Sequence, residues 1–171
     1  MTTPNYQTLS KKRALFLGDI ENLAWDPITN TITSDSVKRI SNAVQTKIAQ
    51  NNIQEVIATS HYFAKEIWFA WGRTTRRLLG SGPDGADKKL INLIRTEDIA
   101  KRVASVIIGS GDGIFTEPVS YLAAQGLHIT VAHGTGGLSK QLALAAHKTI
   151  ELVDPAQPQN INEYIQERIT S

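Results

Sequence analysis

The stretch ALFLGDI, residues 14–20, is an unbroken apolar run that ends on an acid. A strand with one wet face alternates apolar and polar side chains, whereas a strand that is apolar throughout has both faces covered. Its successors read in the same way. EVIATSHY (55–62) is strand-like, RRLLGSG (76–82) reads as a short strand, VASVIIGSGDG (103–113) is β-branched and broken by glycines, and LHITVA (127–132) and TIELV (149–153) complete the set. Between them lie helical patterns. SDSVKRISNAVQTKIAQ (34–50) places apolar residues at 37, 40, 44 and 48, with Ser34 or Asp35 as cap. DGADKKLINLIR (84–95) carries its acids in the first turn, where the helix dipole favours them. FTEPVSYLAAQG (115–126) has Pro118 near its start and Gly126 at its stop, and LSKQLALAAH (138–147) reads as another helix. KEIWFAW (65–71) is ambiguous. Apolar strands each followed by a helix predict an α/β fold, with a mainly parallel central sheet covered on both faces.

The chain of 171 residues suits one domain. Residues 1–12 read as a loose N-terminal arm, 13–153 as the domain, and 154–171 as a linker (DPAQPQN) followed by a C-terminal helix (INEYIQERI). The two arms are segments through which a homodimer could form. There is no Cys, which excludes thiol nucleophiles and Cys-ligated metals and fits a reducing compartment. The N-terminus lacks the apolar core of a signal peptide, and no apolar run approaches the ~20 residues of a membrane span. A cytoplasmic protein without a membrane partner is expected. Net charge is +2, but residues 73–102 alone carry +4. That stretch reads either as solvated helix faces or as a basic surface for phosphate.

In open parallel sheets, ligands gather at the carboxyl ends of the strands near the switch in strand order. The residues at those ends are Gly18-Asp19, His61-Tyr62, Gly109 to Gly113 and His133 to Gly137. Asp19 and Asp112 are acids at such ends. Two carboxylates on adjacent central strands repel each other unless a hard cation such as Mg²⁺ or Mn²⁺ lies between them. A third carboxylate is expected nearby, with Asp84 and Asp87 as candidates. Each acid also has a local reading: Asp19 as a turn cap, Asp112 in an Asx-turn, and Asp87 as dipole compensation. The glycines at 109, 111 and 113 could cradle a phosphate, but Ile114 stands where a dinucleotide fingerprint needs glycine, and Asp112 would face the phosphate. Trp68 and Trp71 read as core, with base stacking as the alternative. His61 and His133 read as loop histidines or as bases facing the site.

Three segments carry a resemblance. GDIENL (18–23) resembles the D-x-x-N motif that opens NYN domains, which are relatives of PIN nucleases. GPDGADKKLI (82–91) resembles their second motif, and IIGSGDGIFTEPVSYLAAQGLHITVA (107–132) resembles their S-G-D block. LSKQLALAAHKTIELV (138–153) looks like the last helix and strand, so the likeness spans residues 13–153. It implies a PIN-like three-layer α/β/α sandwich and Mg²⁺- or Mn²⁺-dependent cleavage of RNA, single-stranded by expectation. Carried across, Asp19, Asp87 and Asp112 match the metal acids and Asn22 the supporting amide. Ser110, Asp84 and Glu117 are supporting candidates, and Arg73, Arg76, Arg77 and Lys88 are expected to meet RNA phosphates. Many members carry a further acid two residues after the S-G-D aspartate. Here that position is Ile114, so three carboxylates are expected rather than four. A module of the same fold that binds RNA without cutting it is the alternative. A phosphatase-like hydrolase is disfavoured, because Glu21 stands where its D-x-D nucleophile motif needs a second aspartate.

Overall fold

A computed structural model describes residues 13–48 and 52–152. The expected N-terminal arm, the linker and the terminal helix lie outside the described residues. Six strands form one sheet in the order β3-β2-β1-β4-β5-β6, and every strand pairing is parallel. They are β1 (Ala14–Asp19), β2 (Ile53–Ser60), β3 (Arg76–Gly80), β4 (Ser105–Gly109), β5 (His128–His133) and β6 (Lys148–Glu151). The helices are α1 (Ile20–Ala24), α2 (Ser34–Ile48), α3 (Ala64–Trp71), α4 (Gly85–Thr96), α5 (Ile99–Arg102), α6 (Thr116–Ala124) and α7 (Lys140–Ala145). The ambiguous KEIWFAW segment is helical. Gly72, at φ 71°, ends it in the left-handed conformation that glycine adopts without steric cost.

The architecture is a three-layer α/β/α sandwich, and the alternation of β1 explains it. All six residues of β1 are buried. Leu15 and Leu17 join one core with Leu90, Leu93 and Ile94 of α4 and Val119 and Leu122 of α6. Ala14 and Phe16 join a second core with Val37, Ile40 and Val44 of α2 and Ile67 and Trp71 of α3. Successive strand side chains point to opposite faces, so β1 feeds both cores. Trp71 is buried and stacks on Phe16 with ring centroids 6.2 Å apart. It is core, as its sequence context suggests.

The connection from β1 runs outward to β2 and β3, and the chain then returns to the other side of β1 for β4, β5 and β6. The order therefore reverses between β1 and β4. Loops leaving their carboxyl ends diverge there and open a crevice.

Candidate functional site

Asp19 closes β1 with the same parity as Leu15 and Leu17, so it faces the layer that contains α4. Asp87 lies in the first turn of α4, three residues before the core residue Leu90. One face of the sheet thus brings the two carboxylates together. Asp19 is 5% exposed and Asp87 8% exposed. Burial pushes the Asp19 carboxyl well above the ordinary range, and the Asp87 charge and a shared hydrogen bond push it further. Burial also raises Asp87, with the charges of Asp112, Asp84 and Glu21 adding, while the hydrogen bond from Asp19 offsets part of the rise. Asp87 Oδ1 is buried and has no hydrogen-bond partner.

Two glycines permit this approach. A Cβ on Gly80, at the end of β3, would lie inside the backbone carbonyl of Gly85, and one on Gly85 would stand 2.9 Å from the carbonyl carbon of Gly80. Only with both side chains absent does the first turn of α4 seat against the end of β3. Asp84, just before that turn, adopts φ 53° and forms a 3.8 Å ion pair with Lys88. Lys88 Nζ also donates to the Pro83 carbonyl at 2.8 Å, which holds this cation at the rim.

The pair opens on a solvent-facing cleft of about 420 Å³, lined by Asp19, Glu21, Asn22, Trp25, Asp84 and Asp87 among others. Asn22 Oδ1 accepts the backbone N–H of Gly111 at 2.9 Å, and Asp19 Oδ1 accepts that of Asn22 at 3.4 Å. The turn-cap reading of Asp19 therefore coexists with its place in the acidic pair. Glu21 escaped the sequence reading as a site residue. Its Oε1 accepts Thr59 Oγ1 at 2.7 Å and the Ser60 backbone N–H, which ties α1 to the end of β2. No local pattern joins positions nearly 40 residues apart, and only the strand-end rule could have linked them.

Asp112 is placed differently from expectation. β4 ends at Gly109, so two loop residues, Ser110 and Gly111, separate Asp112 from the strand. It is exposed, and its Oδ1 accepts the Ile114 N–H at 3.0 Å in the local turn that was its alternative reading. Ser110 is buried and its Oγ accepts the Asp112 N–H at 3.2 Å, so it shapes this loop. Among the described residues, no group of three or more His, Asp or Glu side chains is close enough together to hold a metal. The donor set that does converge is two buried carboxylates, one with an orphaned oxygen. That fits a single hard cation which keeps water or substrate oxygens in its remaining positions, the habit of Mg²⁺.

The remaining expected residues lie elsewhere. Arg76 pairs in register with Val56, four residues before Ser60 reaches the cleft, so it stands about 13 Å along the strand from the carboxyl end. Arg76 binds Glu97 at 2.6 Å, Arg73 binds Glu55 at 3.1 Å, and Arg77 donates to the Trp68 carbonyl at 2.9 Å. These arginines serve the amino end of the sheet because the helix-to-strand connection that carries them enters β3 there. Glu117 pairs with Arg95 and does not line the cleft. His61, in the loop after β2, places its Nε2 2.9 Å from Ser81 Oγ, and His133, the last residue of β5, places its Nδ1 3.1 Å from the Gly134 carbonyl oxygen. The tryptophan that faces the cleft is Trp25, not Trp68 or Trp71.

No protein-family profile matches this chain, and no curated protein matches its sequence. Solved structures similar to this chain include the following two. A Vibrio parahaemolyticus protein of unknown function aligns over 90% of this chain and 98% of its own, at 16% identity and TM-score 0.57. That likeness is one of fold. An Escherichia coli ADP-heptose LPS heptosyltransferase II aligns over 99% of this chain and 53% of its own, at 13% identity and TM-score 0.41.

Proposed function

We propose that this chain is a Mg²⁺- or Mn²⁺-dependent ribonuclease of the NYN type, acting on phosphodiester bonds of single-stranded RNA in the cytoplasm. The observation that carries the reading is the buried Asp19–Asp87 pair, which holds an oxygen without a hydrogen-bond partner and stands in the wall of a cleft at the strand-order switch. Two buried carboxylates without a counter-cation are costly, and a divalent ion offsets that cost.

Asp19 and Asp87 would hold the ion. When bound, it supplies a water of lowered pKa and compensates charge on the phosphate. Asn22 clamps the Gly111 backbone and so fixes the loop that carries Asp112. Asp112 adds negative charge at the rim, felt by Asp87, without sharing the pair's immediate contact. Glu21 anchors α1 to β2 and keeps the first helical turn, with Asn22, in register with the strand ends.

The experiment is a Mn²⁺ titration of labelled single-stranded RNA cleavage with wild type, Asp87→Asn and Asp112→Asn. Loss of cleavage in Asp87→Asn, with a partial loss in Asp112→Asn, is expected. Equal cleavage by wild type and Asp87→Asn rules the reading out. The second reading, a module that binds RNA without cutting it, is favoured by one observation: no three acids converge among the described residues. Its signature is RNA retention with no metal-dependent cleavage.

A further inference from the structure

The arginines of the basic stretch lie at the wrong end of the sheet to hold a strand crossing the acidic pair. Trp25 and Arg39 stand at the right one. Trp25 is the C-terminal cap of α1 and is 39% exposed. It lines the acidic cleft and also a second, shallow hollow of about 30 Å³, lined by Ser36, Arg39, Thr135 and Leu152 among others. The loop after β5 borders both, giving Gly136 to the cleft and Thr135 to the hollow. That loop is seated firmly against α1, since a Cβ on Gly134 would stand 2.6 Å from the Leu23 carbonyl oxygen. The two hollows are therefore neighbours with an indole between them.

Arg39 is half-buried and, among the described residues, makes no hydrogen bond or ion pair. The nearby acid Asp35 pairs with Lys38. Asp26, the acid in the hollow itself, turns Oδ1 into its own turn, accepting the N–H groups of Ile28 at 2.8 Å and Thr29 at 3.3 Å. A guanidinium in that setting suits a phosphate oxygen. An exposed indole beside it suits the face of a base, a contact that tolerates any base identity.

We infer that Trp25 and Arg39 bind the nucleotide flanking the scissile phosphate of a single-stranded RNA, with its base on the Trp25 ring and its phosphate on Arg39. The inference rests on the phosphodiester reading of the acidic cleft and adds the grip that reading lacks. It also gives a reason for single strands: in a duplex each base face is covered by its neighbours, so none is available to the indole.

The test measures binding of a labelled ten-nucleotide single-stranded RNA to the full chain, with Ca²⁺ replacing Mg²⁺, alongside Mn²⁺-induced thermal shifts. Trp25→Ala and Arg39→Gln should each weaken binding about tenfold, Trp25→Phe should largely restore it, and the Mn²⁺ shift should persist in all three. Abasic nucleotides walked along the RNA should reveal one position whose loss weakens wild type but not Trp25→Ala. Binding of Trp25→Ala and Arg39→Gln at wild-type strength, with the Mn²⁺ shift intact, overturns this inference alone. A wild type that neither binds the RNA nor shifts with Mn²⁺ overturns the acidic-cleft reading, and the flanking site with it.

Discussion

Asn22 and Gly111 are joined by a 2.9 Å hydrogen bond from the glycine N–H to the asparagine side-chain oxygen, across the point where the strand order reverses. The first turn after β1 is thereby fastened to the loop after β4. Asn22→Ala leaves a buried backbone N–H without its partner, which costs about 1–3 kcal/mol. Urea denaturation should show that loss, and hydrogen exchange should show faster opening at Gly111 and Asp112. An unchanged midpoint together with unchanged protection would mean that this bond does not hold the loop.

The acidic pair predicts an unusual pH response. An acid whose pKa is raised by folding binds its proton more tightly in the native state. It therefore costs no stability below the unfolded carboxylate range, and destabilises as pH climbs from there through the raised native values of Asp19 and Asp87. In the presence of a chelator, the melting temperature of wild type should fall relative to Asp19→Asn across that window. Added Mn²⁺ should recover more of it at neutral pH than at acidic pH, because the ion competes with the proton. Parallel pH profiles for wild type and Asp19→Asn would refute this.

Glu97 behaves in the opposite sense. Arg76 and Arg102 hold its carboxyl below the ordinary value, so its contribution is present above the unfolded glutamate range and is lost as pH falls through the native value. Arg76 is largely solvent-exposed, and screening limits the pair to about 0.5 kcal/mol. Arg76→Gln should produce a small drop in stability at neutral pH and leave RNA affinity unchanged. A large loss of affinity would restore Arg76 to the RNA interface.

Gly80 tests how closely α4 must approach the sheet. Gly80→Ala inserts a methyl group into the Gly85 backbone. Overpacking of this kind costs about 1–3 kcal/mol, and relief requires α4 to move away from β3, taking Asp87 with it. The variant should lose the Mn²⁺-induced thermal shift even at temperatures where circular dichroism reports a folded protein. Retention of the full shift would show that the Asp19–Asp87 spacing does not depend on this contact.

The pattern of the chain was sufficient for the layers. Six strand-like runs and their intervening helical periods required a sheet covered on both faces, because only that arrangement removes every residue of β1 from water. The ambiguous segment 65–71 was settled as a helix by packing, when Ile67 and Trp71 found the core around Phe16. The strand-end rule pointed to Asp19 from sequence alone, and a helix dipole argument placed Asp87 and Asp84 at a helix start.

Sequence could not decide which of these groups meet. Asp19 and Asp87 are 68 positions apart, and their pairing follows from strand parity and the Gly80–Gly85 contact, neither of which has a local signature. Asp112 matched a motif as well as Asp19 did, yet two loop residues carry it beyond the strand end and its carboxylate bonds within its own turn. The basic stretch 73–102 looked continuous in one dimension, but a parallel strand separates its two ends in space, so Arg76 and Asp87 face opposite ends of the sheet. Trp25 follows the apolar Leu23 and Ala24 and had nothing local to mark it as a cleft residue, and only the seating of the loop after β5 against α1 gave it a cleft to line. Composition and periodicity record what must leave water. Which polar groups converge depends on contacts between distant segments, and only the folded chain brings those into being.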